Sequence, residues 1–202
     1  ALHYFIYKLE NNTADERTWR PNVLAFINST KKDINMLRIM ANIVSNRGFL
    51  TVITIINQPI KDKVRLKNLK ISVRNYLENK SIKAMVNILY AKDDWAGIQN
   101  LINTYGFGPV KPNTIYFEFN SEKNHLSDLT KVIFQASQND KNIMIFIDNN
   151  YNISEKENIN VFWGGHKQNI GFMIAMAIML QEEINGQDNH VMINSAVTEK
   201  EK

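Results

Sequence analysis

The 202-residue sequence contains no cysteine, four prolines and eight glycines. Without thiols it can form no disulfide, no thiolate metal site and no cysteine nucleophile, and it suits a reducing compartment. The glycines form neither a GxGxxG fingerprint nor a GxxxxGK(S/T) loop, so neither of these phosphate cradles is written in the chain. Long apolar runs are missing too. The longest, 172–180, falls far short of the ~20 residues that cross a bilayer, and the start lacks a signal-peptide pattern, so the chain as given is expected to be soluble. His3, His125, His166 and His190 are scattered, with no HxxxH or HxxE spacing, and no metal or cofactor is expected. The net charge of +4 is small. Much of the excess lies in Lys61, Lys63, Arg65, Lys67, Lys70 and Arg74, which lack interleaved aromatics and read as a solvated helix face; no nucleic-acid partner is expected.

What is present is an alternation. Hydrophobic residues make up 44% of the chain and charged residues 22%, enough apolar material for one sizeable core. Strand-length apolar runs at 23–27, 50–56, 85–89, 115–119 and 143–147 are separated by helical patterns led by Met36, Val64, Trp95 and Leu126. A strand at 159–163, a helix at 169–183 and a last strand at 191–195 follow. Nearly continuous Val, Ile and Phe runs between amphipathic helices predict an α/β fold: a mostly parallel open sheet with helices on both faces. The link 148–158 lacks a helical pattern, which predicts that 143–147 and 159–163 pair antiparallel within that sheet. No linker composition appears, so 21–202 is expected to be one α/β domain behind a helical arm and junction at 1–20. Because the chain opens with Ala1 inside a helical pattern, it is expected to be a piece of a longer protein.

Candidate chemistry is sparse. Asn28, Ser29 and Thr30 follow the first strand and offer turn and helix-cap groups, and with Lys31 they could meet a phosphate at the carboxyl end of a parallel sheet. In GFGPVKPNTI, Gly106 and Gly108 follow a helix and precede a strand, so with Pro109 and Pro112 they read as a structural turn. Gly164, Gly165 and His166 stand between a strand and a helix, where an anion would fit. Asp93 and Asp94 open a helix and read as capping carboxylates, and Met173, Met176 and Met179 as a core face. No residues are assigned a catalytic role, since no triad, metal cluster or acid–base pair is evident.

Several spaced motifs carry a resemblance. Thr18-Trp19-Arg20-Pro21-Asn22-Val23-Leu24 resembles the NWRPQxL segment that opens the cytoplasmic C-terminal domain of cation-chloride cotransporters. The run 82–91, the helix segment 97–102, the turn 106–114 (GLGxMKPNT in the family) and Ile159-Asn160-Val161-Phe162-Trp163-Gly164-Gly165 (IDVWW in the family) follow in the same order. The resemblance implies a universal-stress-protein-like fold and a non-enzymatic domain that regulates and assembles an electroneutral symporter of chloride with sodium or potassium. It implies a transmembrane part of the same polypeptide as partner, a homodimer, and Trp19, Arg20 and Pro21 as the arm junction. The phosphorylated insertions of animal members are absent, which suits a compact prokaryotic form. A free nucleotide-binding protein of the universal stress type is the alternative, but its G-x2-G-x9-G-(S/T) motif is replaced by residues 120–124.

Overall fold

Five of the apolar runs line up in one parallel sheet: those at 22–27, 49–56 and 114–118 are largely buried and need a helix over either face, while those at 85–90 and 142–146 are partly exposed. The computed structural model describes residues 19–45, 47–106, 111–120, 126–147, 159–164, 167–184 and 190–195. The strands are β1 (Asn22–Ile27), β2 (Phe49–Ile56), β3 (Met85–Tyr90), β4 (Thr114–Glu118) and β5 (Asn142–Phe146), in the order β3-β2-β1-β4-β5. The helices between them are α1 (Ile34–Val44), α2 (Lys63–Glu78), α3 (Asp94–Thr104) and α4 (Leu126–Gln138). β1 lies at the centre, and all six of its residues are buried.

Side-chain alternation divides the core into two layers. Leu24, Phe26, Ile53, Ile55, Ile115 and Phe117 point to one face, where Ile98 and Ile102 of α3 and Val132 and Ala136 of α4 close over them. On the other face α1 contributes Met36, Leu37, Met40 and Ile43, and the buried Tyr116 hydroxyl donates to the Met36 carbonyl at 3.1 Å. The chain first winds outward from β1 through β2 to β3. It then returns to the other side of β1 for β4 and β5, which places the later helices on the opposite face, as right-handed crossovers require. The point of reversal, between β1 and β4, is where an open sheet of this kind leaves a crevice at its carboxyl end.

By compactness the chain divides into Ala1–Asp148 and Asn149–Lys202, so the single domain expected over 21–202 spans both units. The second unit holds β6 (Ile159–Trp163), α5 (Lys167–Ile184) and β7 (Val191–Ser195). Here one expectation fails. β6 is not the antiparallel neighbour of β5; it pairs in parallel with β7, Val161 opposite Ile193. An 18-residue helix is long enough to carry the chain back for a parallel return, so β6 has a partner of its own. Met176 and Ala177 of α5 and Val161 of β6 are buried, and Met173 and Met179 are half-buried.

Candidate functional site

The two ends of the five-stranded sheet differ in chemistry. At the carboxyl end, the crevice between β1 and β4 is lined by Asn28, Asp33, Asp94, Trp95, Phe117 and Glu118, among others. Trp95 meets Phe117 edge to face, 5.7 Å between ring centres. The enclosed space is about 40 Å³, room for a few waters, and an open hollow of about 550 Å³ lined by Asn28, Ile55, Ile56, Asn57, Gln58, Ile60 and Asp94 adjoins it. Burial and then neighbouring Asp93 push the Asp94 carboxyl above its usual range. Asp93 caps α3 as expected, its Oδ2 accepting from the Ala96 amide at 2.9 Å.

The four residues expected to meet a phosphate lie at this end, and the structure gives two of their backbone amides to a carboxylate. Asn28 and Ser29 both donate to Asp33 Oδ2, at 2.8 and 2.9 Å. Asp33 is buried, and it occupies the position an external anion would take. Asp33 is also the cap residue of α1, so the helix starts later than expected and Asn28, Ser29 and Thr30 form the preceding turn without capping it. Lys31 is exposed. Asp33 was missed because its role depends on the turn folding back on itself, although an acidic residue just ahead of a helical pattern was a visible signal.

The amino end of the sheet holds a hydrogen-bonded clasp. The Asn22 amide donates to Asn113 Oδ1 at 3.0 Å, and the Asn113 amide donates back to the Asn22 carbonyl at 2.9 Å. Asn22 Nδ2 reaches the Lys111 carbonyl at 2.9 Å, and Asn113 Nδ2 reaches the Arg20 carbonyl at 2.7 Å. Thr114 Oγ1 adds a bond to Asn113 Oδ1 at 3.0 Å. The web extends sideways: Phe49 of β2 donates its amide to the Pro21 carbonyl, Asn142 of β5 donates to the Asn113 carbonyl, and Lys141 Nζ donates to the Pro112 carbonyl at 2.7 Å. Gly48 lies so close to Pro21 that a Cβ would collide with the Pro21 carbonyl, which makes glycine necessary there.

The structure thus brings together two of the stretches singled out in the sequence, ninety residues apart, at one sheet end. Pro21 and Pro112 are buried, Trp19 is half-buried and Arg20 is exposed. Gly106 has φ of 90°, in the left-handed region that favours glycine, whereas Gly108 and Pro109 lie outside the described residues. So do Gly165, His166, His3 and His125, while Gly164 is exposed. Among the described residues no His, Cys, Asp or Glu cluster could hold a metal, and no helix is long and apolar enough to cross a membrane. The sequence showed both motifs, but not that Asn22 and Asn113 hold each other, since a side-chain amide pair leaves no periodic signal.

The fold just described is a doubly wound α/β fold, and a solved cytoplasmic domain of a prokaryotic cation chloride cotransporter matches it with TM-score 0.62. That match covers 90% of this chain and 68% of the other at 12% identity, a likeness of fold. Residues 34–146 match solute carrier family 12, and the chain belongs to that family. An uncharacterized transporter of Schizosaccharomyces pombe is 26% identical over 116 residues, 56% of this chain. Potassium/chloride cotransporter 3 of Caenorhabditis elegans is 22% identical over 159 residues, 72% of this chain. The chain matches only 11% and 15% of the length of these two relatives. The resemblance to cation-chloride cotransporters expected from the motifs is therefore borne out, as is the parallel α/β fold.

Proposed function

We propose that this chain is the cytosolic regulatory and assembly domain of a membrane cation-chloride symporter, carrying chloride with sodium, potassium or both, and that it is itself non-catalytic. The observation that carries the reading is the clasp at the amino end of the sheet. The chain enters the sheet at Trp19 and Arg20, and Asn113 fixes that entrance through the Arg20 carbonyl and the Asn22 amide. A domain that senses or steadies a preceding membrane part needs such a rigid junction, because a loose one would transmit neither force nor orientation. The partners are then the transmembrane domain of the same polypeptide and a second copy of the chain.

The test is chloride-dependent uptake of a potassium tracer and of sodium by the full-length protein in cells. Asn113→Ala should lower uptake while the amount of protein in the membrane stays the same. Unchanged uptake, or a gene without hydrophobic spans ahead of this segment, would overturn the reading. The nucleotide alternative requires Asp33 to leave the amides of Asn28 and Ser29. Calorimetry with ATP and ADP separates the two, since heat from either would favour a nucleotide sensor and none would leave Asp33 as the resident anion.

A further inference from the structure

We infer that the amino edge of the five-stranded sheet is a docking surface for an anionic lipid membrane. In a parallel sheet the residues just ahead of every strand gather at one edge. Here each of those approaches carries a cation: Arg20 before β1, Arg47 before β2, Lys80 and Lys83 before β3, Lys111 before β4 and Lys141 before β5. Arg20, Lys80, Lys83 and Lys111 are exposed, while Arg47 and Lys141 are half-buried and Lys141 Nζ is held by the Pro112 carbonyl. With neighbouring strands about 4.8 Å apart, five strand ends spread this charge over roughly 20 Å. Among the described residues only Glu78 and Asp140 oppose it along the same edge. At the opposite end the loops carry lysines too, but Asp33, Asp62, Asp93, Asp94 and Glu118 stand among them. The small net charge of the whole chain therefore conceals a polarity that only the topology reveals.

Two further observations bear on this surface. The last helical turns of α1 to α4 hold no basic residue, and the cations stand beyond them, in the turns that lead into the strands. The charges also crowd: burial and the neighbouring Lys111 hold the Lys141 ammonium below its ordinary range, against the opposing pull of Asp140. Crowded cations cost less beside a layer of counter-charge. A membrane is the occupant because the chain enters the sheet at this same edge, through Trp19 and Arg20, and the relatives extend far beyond the part matched here. The inference rests on the proposed transporter reading, in which that preceding chain lies in a bilayer. The inner leaflet of such a bilayer is anionic and attracts juxtamembrane Lys and Arg.

The experiment is co-sedimentation of the 202-residue chain with phosphatidylcholine vesicles, with and without phosphatidylserine, at low and high salt. Binding is expected only with phosphatidylserine and should fade with salt. The triple variant Lys80→Glu, Lys83→Glu, Lys111→Glu should lose about a hundredfold in affinity, at roughly fivefold for each cation. A control with the same net charge, Lys61→Glu, Lys63→Glu, Lys67→Glu, changes cations at the other end and should lose less than about tenfold. If the glutamate variant fails to fold by circular dichroism, the corresponding glutamine variant replaces it. No binding to anionic vesicles, equal losses in both triples, or retained binding in the first would overturn the inference. Vesicle binding by a protein whose gene encodes no upstream spans would keep this surface and sink the transporter reading. Spans without vesicle binding would do the reverse.

Discussion

Asn113 shows how one amide can set the position of a whole junction. Its side chain makes three hydrogen bonds, to the Asn22 amide, the Thr114 hydroxyl and the Arg20 carbonyl. Asn113→Ala leaves the Asn22 amide without its side-chain acceptor at a buried residue, and it should cost about 2 kcal/mol, read as a lower urea midpoint at unchanged slope. A midpoint equal to the parent's would show that water replaces the clasp. Asp94 works in the opposite direction. Its folded-state carboxyl is raised, so the stability it contributes is fully present below the unfolded value of 3.8 and is lost as pH rises through the raised value. Asp94→Asn should therefore raise the melting temperature at neutral pH, and the difference should vanish below 3.8. A gap that widened in acid would contradict this. Asp94 was legible in the sequence only as a capping carboxylate, because desolvation depends on Trp95 and the strand ends around it.

At the scale of elements, helix ends were harder to read than helix bodies. α2 and α4 both finish in a Schellman turn, with Ile82 donating to the Leu77 carbonyl and Lys141 to that of Ala136. Such turns need a left-handed residue, usually glycine, but Ser81 at φ 60° and Asp140 at φ 51° fill the position. The punctuation that normally marks a helix end was missing from the sequence at both places, and the hydrophobic pair Leu77 and Ile82 supplies the stop instead. Ser81→Gly should stabilise the first unit by about 0.5–1 kcal/mol, since Ser81 is exposed and loses only the cost of its Cβ. Thermal unfolding checks it, and a lower melting temperature would mean that the unfolded chain gains more entropy than the turn loses strain. β6 was read correctly as a strand and given the wrong neighbour, because a strand's composition records that it is covered but not by what.

For the whole molecule, the expected homodimer is a prediction to be tested, and the second unit offers a surface on which to test it. Phe162 is 73% exposed, Ile193 53% and Met192 44%, and β6 and β7 pair only with each other among the described residues. Two short strands with apolar side chains in solvent are the kind of edge that proteins cover. Sedimentation equilibrium should show a concentration-dependent association between micromolar and millimolar, since tethering to membrane helices would supply effective concentrations in that range. Phe162→Asp with Ile193→Asp should shift it toward monomer. A strictly monomeric parent would remove the dimer, and a variant as dimeric as the parent would place the contact elsewhere.

The sequence by itself determined the elements, their alternation and hence the parallel α/β class, because burial on both faces demands unbroken apolar strands and amphipathic helices demand a 3.6-residue repeat. It also carried the family motifs, which are local strings. Tertiary structure alone decided the strand order, the parallel pairing of β6 with β7, the seat of Asp33 on two backbone amides and the meeting of Asn22 with Asn113. It also gathered at least one cation from each strand approach onto a single edge. These are contacts between residues far apart in the chain or in folded-back turns. Their energy depends on distance in space, which no local pattern of residue types encodes.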